Sequence, residues 1–343
     1  MKTFPIKNFQ GKICLSPFVM IEVQLNGGVR MCGCAAWLPA IVGNLKENTL
    51  HSILSSPEAQ KIRQSIIDGT YQYCNEKMCG VITNNSLNTI DTVPPNIKKL
   101  LENANNFEMP HHISFPGDRT CNLSCPSCRT RVIKTPDDQI EEQIKVGKLV
   151  CDNLFSTPSD QSLILEIAGA GELFASPMML SFVNSLNIDS FPNLKLHIGT
   201  NGLLAPARWH RLDHIESIVA KVTVSIDAAK ADTYEKIRRG GTWSEIIAAM
   251  KFLQNKKHQT GMALHTRMIV QQQNYTEIKE FYDLCQEFGV DIIEYSRLQD
   301  WGTWNYLEFT KHDVFDQQHP EFASARQMID SVKSLPGTWF SGL

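Results

Sequence analysis

Cys121-Asn122-Leu123-Ser124-Cys125-Pro126-Ser127-Cys128 sets three thiols within eight residues, spaced CxxxCxxC, directly after a predicted strand, His111 to Phe115. A cubane iron-sulfur cluster has four iron corners and normally takes four cysteine thiolates, so three adjacent ligands fit a cluster with one iron left open to a reactant. A structural zinc site would instead pair a CxxC with a second CxxC or with histidines, and no such partner lies just downstream.

Outward from this loop, strands and helices alternate. The predicted strands are His111 to Phe115, Ser162 to Ala168, Lys195 to Gly199, Lys221 to Ser225, Ala263 to Val270 and Asp291 to Tyr295. Helical patterns fall at about Asp137 to Asn153, Pro177 to Leu186, Pro206 to His214, Trp243 to Asn255 and Asn274 to Phe288. This alternation with short connections predicts an α/β chain with a parallel sheet. Chemistry in such folds gathers at the carboxyl ends of the strands. The second predicted strand runs into Ala168-Gly169-Ala170-Gly171-Glu172, where glycines admit close backbone approach and Glu172 can receive an ammonium group. The third ends in Gly199-Thr200-Asn201-Gly202. The fourth ends in Val224-Ser225-Ile226-Asp227, with Tyr234 to Gly241 beyond, and the fifth carries Thr266 to Val270.

These segments together resemble the radical S-adenosylmethionine (SAM) superfamily, with Ser127 standing where the family usually carries an aromatic residue. The resemblance implies a partial (β/α)6 barrel over residues 111–298. It also implies a 4Fe-4S cluster on Cys121, Cys125 and Cys128 whose open iron binds the amine and carboxylate of SAM. Reductive cleavage would then yield methionine and a 5'-deoxyadenosyl radical that takes a hydrogen atom from the substrate. Residue by residue, Gly171 and Glu172 match the segment that meets the SAM amine, Ser225 the ribose contact and Arg238 the carboxylate contact. Thr200 and Asn201 offer hydrogen bonds in the mouth or form an ordinary polar turn. The strand holding Ile269 would lay an apolar backbone edge against adenine, although a core strand looks the same. Asp227 orients a neighbour or takes part directly, and Arg239 is read as solvated.

Five further cysteines, Cys14, Cys32, Cys34, Cys74 and Cys79, lie in residues 1–80. Val19 to Leu25, the turn Asn26-Gly27-Gly28 and Val29-Arg30-Met31 predict a hairpin that brings Cys14 and Cys32 together. Thr49 reads as a cap, and a helix from Pro57 to Asp68, closed by Gly69, returns the chain to Cys74 and Cys79. Twelve residues separate Cys14 from Gly27 and four separate Gly27 from Cys32. This spacing resembles SPASM and twitch domains, small α+β units that hold an auxiliary 4Fe-4S cluster. The expected ligands are Cys14, Cys32, Cys74 and Cys79, with Cys34 a spare thiol or alternative ligand. A zinc-stapled appendage is the competing account. Residues 81–110, rich in Asn and Pro, read as a linker with a short helix from Asn96 to Glu102, and residues 299–343 as a C-terminal capping segment.

Composition sets the bounds. The chain has 343 residues, 42% of them hydrophobic, a net charge of -3 and dispersed basic residues. That pattern predicts neither a nucleic-acid footprint nor a polybasic membrane patch. The opening MKTFPIKNFQ lacks a signal-peptide apolar run, and nothing approaches the roughly 18 apolar residues a spanning helix needs, so the expected location is cytoplasmic. Eight of the ten cysteines fall in the two groups, which in a reducing compartment argues for metal ligation over disulfides. Cys151 and Cys285 sit in helical patterns and read as buried hydrophobes. At least one of His111 and His112, adjacent in the first predicted strand, must face inward, and reads as a satisfied histidine of the interior in preference to a metal ligand.

The expected activity is therefore hydrogen abstraction from a small polar molecule such as a sugar derivative, in an oxidation, epimerisation or dehydration. An external reductant such as flavodoxin or ferredoxin would supply electrons. A peptide-modifying radical enzyme is the alternative, and a two-cluster electron carrier or a zinc-stabilised binding protein are the alternatives of other classes. Cys34, Tyr295 and Asp300 are candidates, by position, to quench the product radical. Trp301 and Trp304 either form a lid or pack the C-terminal segment.

Overall fold

The structure is a computed structural model that describes residues 1–93, 95–155 and 158–343, so Pro94 of the predicted linker lies outside it. Its strands are β1 (Lys12–Ile13), β2 (Met20–Val23), β3 (Gly28–Arg30), β4 (Gly43–Asn44), β5 (Asn88–Thr89), β6 (His112–Ser114), β7 (Leu163–Ile167), β8 (Leu194–Thr200), β9 (Val219–Ser225), β10 (Ala263–Val270), β11 (Ile292–Arg297) and β12 (Thr338–Ser341). β1 and β5 form a small antiparallel ribbon. The others make one sheet in the order β12-β11-β10-β9-β8-β7-β6-β2-β3-β4. From β6 to β12 every pairing is parallel, the arrangement of a partial barrel.

The expected strands and helices form because local signals agree with the sheet. Thr242 and Glu245 make a reciprocal capping box at the start of helix Trp243–Thr260, and Gly261, at φ 76°, ends it in the left-handed region. Ser56 caps helix Pro57–Ile67 through the Ala59 amide. Leu165, Ile167, Leu196, Val222, Val224, Leu264, Met268 and Ile293 are at most 2% exposed, on the sheet face that packs against the helices.

Two features go beyond the sequence expectation. The C-terminal segment read as a cap contributes β12, a seventh parallel strand paired with β11. The N-terminal cysteine unit joins the barrel sheet itself, because β2 pairs parallel with β6. That unit also reaches the opposite edge of the sheet. The Asn84 side-chain amide donates to the Phe340 carbonyl, and the Gly342 amide donates to Thr83 Oγ1 at 3.3 Å. A Cβ on Gly80, next to Cys79, would stand 3.0 Å from Ser341 Oγ and 3.2 Å from the Phe340 carbonyl, so that packing needs glycine. Residues 1–84 therefore tie together both edges of the partial barrel.

Candidate active site

Each sulfur of the CxxxCxxC loop meets an N–H donor. Cys121 Sγ accepts from the Leu123 amide at 3.4 Å and from Asn201 Nδ2 at 3.8 Å. Arg238 Nη1 approaches Cys125 Sγ at 3.8 Å, and Arg129 Nε and Nη2 approach Cys128 Sγ at 3.4 and 3.3 Å. Donors aimed at sulfur are what a thiolate-held cluster requires, and two of them are cationic. Arg129 is held in turn by the carbonyls of Arg119, at 2.7 Å, and Ala170, at 2.9 Å. Among the described residues no group of three or more His, Cys, Asp or Glu side chains stands as a ready site for a single metal ion.

The strand ends converge on the same loop. Glu172 is 2% exposed, and its carboxylate accepts from Thr200 Oγ1 and the Asn201 amide, both at 2.7 Å, and from the Phe174 amide at 3.3 Å. Burial pushes the Glu172 carboxyl up, against the pull of these donors. Glu172 thus organises the Thr200-Asn201 turn. A Cβ on Gly171 would lie 2.4 Å from the Asp118 carbonyl and 2.6 Å from that of Thr120, so this glycine lets two backbones touch.

Asp227, at φ 65°, accepts the Ile269 amide at 2.7 Å and pairs with Arg238 Nη2 at 2.8 Å. Asn274 Nδ2 donates to the Asp227 carbonyl at 2.8 Å and to the Ile269 carbonyl at 2.9 Å. Asp227 is therefore the residue that aims Arg238 at Cys125. Both backbone groups of Ile269 are engaged within the protein, which leaves its side chain, not its backbone edge, to meet a ligand. Ser225 ends β9, half-buried. Arg238 Nε is buried without a hydrogen-bond partner among the described residues. An orphaned guanidinium donor beside a cysteine of the loop fits the carboxylate of SAM next to an open iron.

The upstream thiols also assemble. Burial pushes the Cys32 thiol up, and the nearby Cys14, Cys79 and Cys74 push it further. Burial likewise raises Cys79, with Cys14 adding to it. Cys34 is different: after burial and the Ala36 amide, the charges that reach it are those of Glu22 and Arg267. The charges of Cys14, Cys74 and Cys79 that act on Cys32 do not figure at Cys34. Cys32 and Cys74 are buried, Cys14 and Cys79 half-buried, and the charge of Lys7 also reaches Cys74; four thiols so gathered fit a cluster-binding set.

Glu22 and Arg267 belong to a feature the strand predictions did not single out. Alternate residues of the strands point into the barrel and carry charge: Glu22–Arg30 at 2.7 Å, His112–Glu166 at 3.3 Å, Lys221–Glu166 at 3.9 Å and Arg267–Glu294 at 2.8 Å. Burial pushes Glu166 up, but the hydrogen bond from His112, with Lys221 and Arg267, overrides it and holds the carboxyl at about 2. Burial, with Lys221 adding to it, lowers His197 to about 4, and His197 Nδ1 is buried without a partner among the described residues. The signal was present in LILEI, LKLHIGT and ALHTRMIV, since parallel strands covered by apolar layers on both faces read as unbroken apolar runs and these alternate.

Two candidates for the product radical fall outside this lumen. Tyr295 is fully buried on the helix side, donating to the Ile278 carbonyl at 3.0 Å and stacked on Phe340, because its neighbours Glu294 and Ser296 take the inward positions of β11. Asp300 is exposed and accepts the Gly302 amide in a turn. Trp304 stacks on His312 at 4.3 Å, whereas Trp301 is 56% exposed. His112 is the one of the histidine pair that faces inward, into the lumen, where Glu166 satisfies it at 3.3 Å.

Residues 118–285 match the family model of the Radical SAM superfamily, and residues 14–80 match that of the SPASM iron-sulfur cluster-binding domain. The chain thus carries a radical SAM domain, with an SPASM domain ahead of it. Its cofactors are SAM, the 4Fe-4S cluster of that domain and auxiliary iron-sulfur binding by the SPASM domain. No curated protein matches the chain in sequence. Among solved structures it resembles Streptococcus suis SuiB at 18% identity over 76% of this chain and 57% of that one, with a TM-score of 0.45. It resembles anSMEcpe with bound AdoMet at 16% identity over 58% and 55%, TM-score 0.39. For a radical SAM methyltransferase from Sphaerobacter thermophilus the values are 14% identity over 66% and 64%, TM-score 0.39. The chain spans less than two thirds of each of these structures. Among the described residues no helix is long and apolar enough to cross a membrane.

Proposed function

We propose that this chain is a radical SAM enzyme that takes a hydrogen atom from a small polar molecule, such as a sugar derivative, in an oxidation, epimerisation or dehydration. The observation that carries this reading is the charged lumen beneath the strand ends, whose ion pairs offer further hydrogen bonds to a polar substrate, whereas an apolar one would displace water from these groups and replace none of its hydrogen bonds. When bound, the loop cluster and SAM supply a carbon radical able to abstract hydrogen. Cys121, Cys125 and Cys128 would hold that cluster. Arg238, aimed by Asp227, would take the SAM carboxylate, and the turn of Thr200 and Asn201, shaped by Glu172, would line the amine side with Gly171. Ser225 and the Ile269 side chain would face the nucleoside. Cys14, Cys32, Cys74 and Cys79 would hold the auxiliary cluster.

In the lumen, Glu166 is an ionised acceptor, Lys221 and Arg267 are donors, and His197 is a neutral imidazole with Nδ1 free for substrate. Cys34, beside Glu22 and Arg267, is the candidate quencher that remains positioned to reach a bound molecule. The test is anaerobic reconstitution with iron and sulfide, reduction with dithionite, and incubation with SAM and deuterated aminosugars or nucleotide sugars. Deuterium appearing in 5'-deoxyadenosine supports the reading. Transfer from peptide substrates with none from any sugar derivative would contradict it.

A further inference from the structure

Beside the CxxxCxxC loop lies a groove of about 600 Å³ lined by Arg119, Arg129, Arg131, Lys134, Trp301 and Thr303, among others, and none of its lining residues is acidic. Residues 119–134 follow β6 and residues 301–303 follow β11, and in the sheet β7, β8, β9 and β10 stand between those two strands. A groove lined from both therefore bridges the mouth of the partial barrel, at the carboxyl ends of its strands. Arg129 is a wall of this groove, its donors spent on Cys128 Sγ and on the carbonyls of Arg119 and Ala170. Arg119, Arg131 and Lys134 are exposed and form no ion pair among the described residues. Their segment is fixed to the loop by the Cys121 amide donating to the Ile133 carbonyl at 2.9 Å, and by Arg239 Nη2 donating to the Thr130 carbonyl at 3.0 Å. Two apolar side chains stand exposed in the same groove, Val132 at 44% and Trp301 at 56%. Thr303 Oγ1 is buried there without a partner among the described residues.

We infer that this groove holds the nucleoside diphosphate portion of a nucleotide-linked sugar whose sugar reaches into the lumen. The inference rests on the proposed function and narrows its substrate class. The lining calls for dense negative charge and a flat apolar face in one ligand. Guanidinium forks pair bidentately with phosphoryl oxygens, and a diphosphate sets two phosphoryl groups side by side against Arg119, Arg131 and Lys134. Thr303 Oγ1 has a proton to give the same group. The Trp301 indole, with Val132 beside it in the groove, offers a base a face to stack on. An acidic peptide would meet the cations but leave the indole bare, and so would inorganic pyrophosphate. The volume falls in the range of clefts for small ligands, roughly 300–1,000 Å³.

The experiment uses the fully reconstituted chain in anaerobic titration calorimetry, with uridine diphosphate, inorganic pyrophosphate and hexaglutamate as probes. Uridine diphosphate should bind most tightly of the three. The variant carrying Arg131→Ala and Lys134→Ala should bind uridine diphosphate and pyrophosphate at least about tenfold more weakly. Trp301→Ala should bind uridine diphosphate at least about fivefold more weakly, with pyrophosphate within about twofold of wild type. Iron content and unfolding temperature should match the wild type in both variants, since all three side chains are exposed. Lys61→Glu, an exposed charge reversal on the N-terminal unit, should change no affinity. A wild type that does not bind uridine diphosphate, or binds hexaglutamate or pyrophosphate as tightly, overturns the inference, as does unchanged uridine diphosphate affinity in either variant. SAM plays no part in these titrations. A chain that binds the probes as expected yet transfers deuterium from no nucleotide sugar therefore contradicts the proposed function and leaves the groove assignment standing.

Discussion

Cys121, Cys125 and Cys128 come from one short loop and meet amide and guanidinium donors, whereas Cys14, Cys32, Cys74 and Cys79 are gathered from separate segments and meet mainly backbone amides. The difference has two physical consequences. A loop site is close to complete once one turn has folded, but the gathered site needs the hairpin, the helix Pro57–Ile67 and the return to Cys79, so metal there contributes folding free energy. Guanidinium donors also favour the more negative, reduced state of a cluster, so the loop site should be easier to reduce than it would be in a neutral shell. The gathered site has another task, because the residues just after Cys79 hold β12 at the open edge of the barrel.

The comparison can be broken at several points. The largest effect is expected from Cys125→Ala, which should remove about four irons per chain and abolish 5'-deoxyadenosine formation. Cys74→Ala should also remove about four irons but leave SAM cleavage intact and lower the unfolding temperature; iron analysis and calorimetry distinguish the two. Arg238→Met leaves Asp227 buried without its partner and should cost about 3 kcal/mol in chemical denaturation, together with a loss of SAM affinity.

Arg129→Gln should lower the midpoint potential of the loop cluster by on the order of 60 mV, the one-electron equivalent of about 1.4 kcal/mol, in an EPR-monitored titration. The potential of the gathered cluster should not move.

The lumen makes a pH prediction. The fold keeps His197 neutral down to about 4, while the unfolded chain takes up its proton near 6.5. The unfolded state therefore binds more protons in that window, and stability should fall as pH drops from about 6.5 to about 4. Denaturation at stepped pH should show this loss, and His197→Gln should reduce it. The smallest effect is expected from Tyr295→Phe, about 1 kcal/mol for one hydrogen bond, with turnover unchanged. A large loss of turnover would return Tyr295 to the site.

What could be read from sequence was what is local. The CxxxCxxC spacing, the strand-helix alternation and the cap at Thr49 each depend on neighbours a few residues away. The parity of β11 decided Tyr295: its strand was recognised, but whether Tyr295 or Glu294 faces inward depends on which face the helices cover, and one residue reverses it. β12 spans four residues between Pro336-Gly337 and Gly342, too short to stand out before its partner is known. The pairing of β2 with β6, and the contact of Asn84 with Phe340 across most of the chain, are nonlocal and carry no spacing signal. The lumen was legible in principle, because polar residues at alternate positions of buried strands mark a wet interior face.

The most direct test of the account is 5'-deoxyadenosine released by the anaerobically reconstituted chain with dithionite and SAM, measured beside Cys125→Ala and Cys14→Ala. Release by the wild type and by Cys14→Ala, with none from Cys125→Ala, is the predicted result. A wild type that holds both clusters yet releases none, or a Cys125→Ala variant that still releases it, would contradict the assignment of the loop as the SAM-cleaving site.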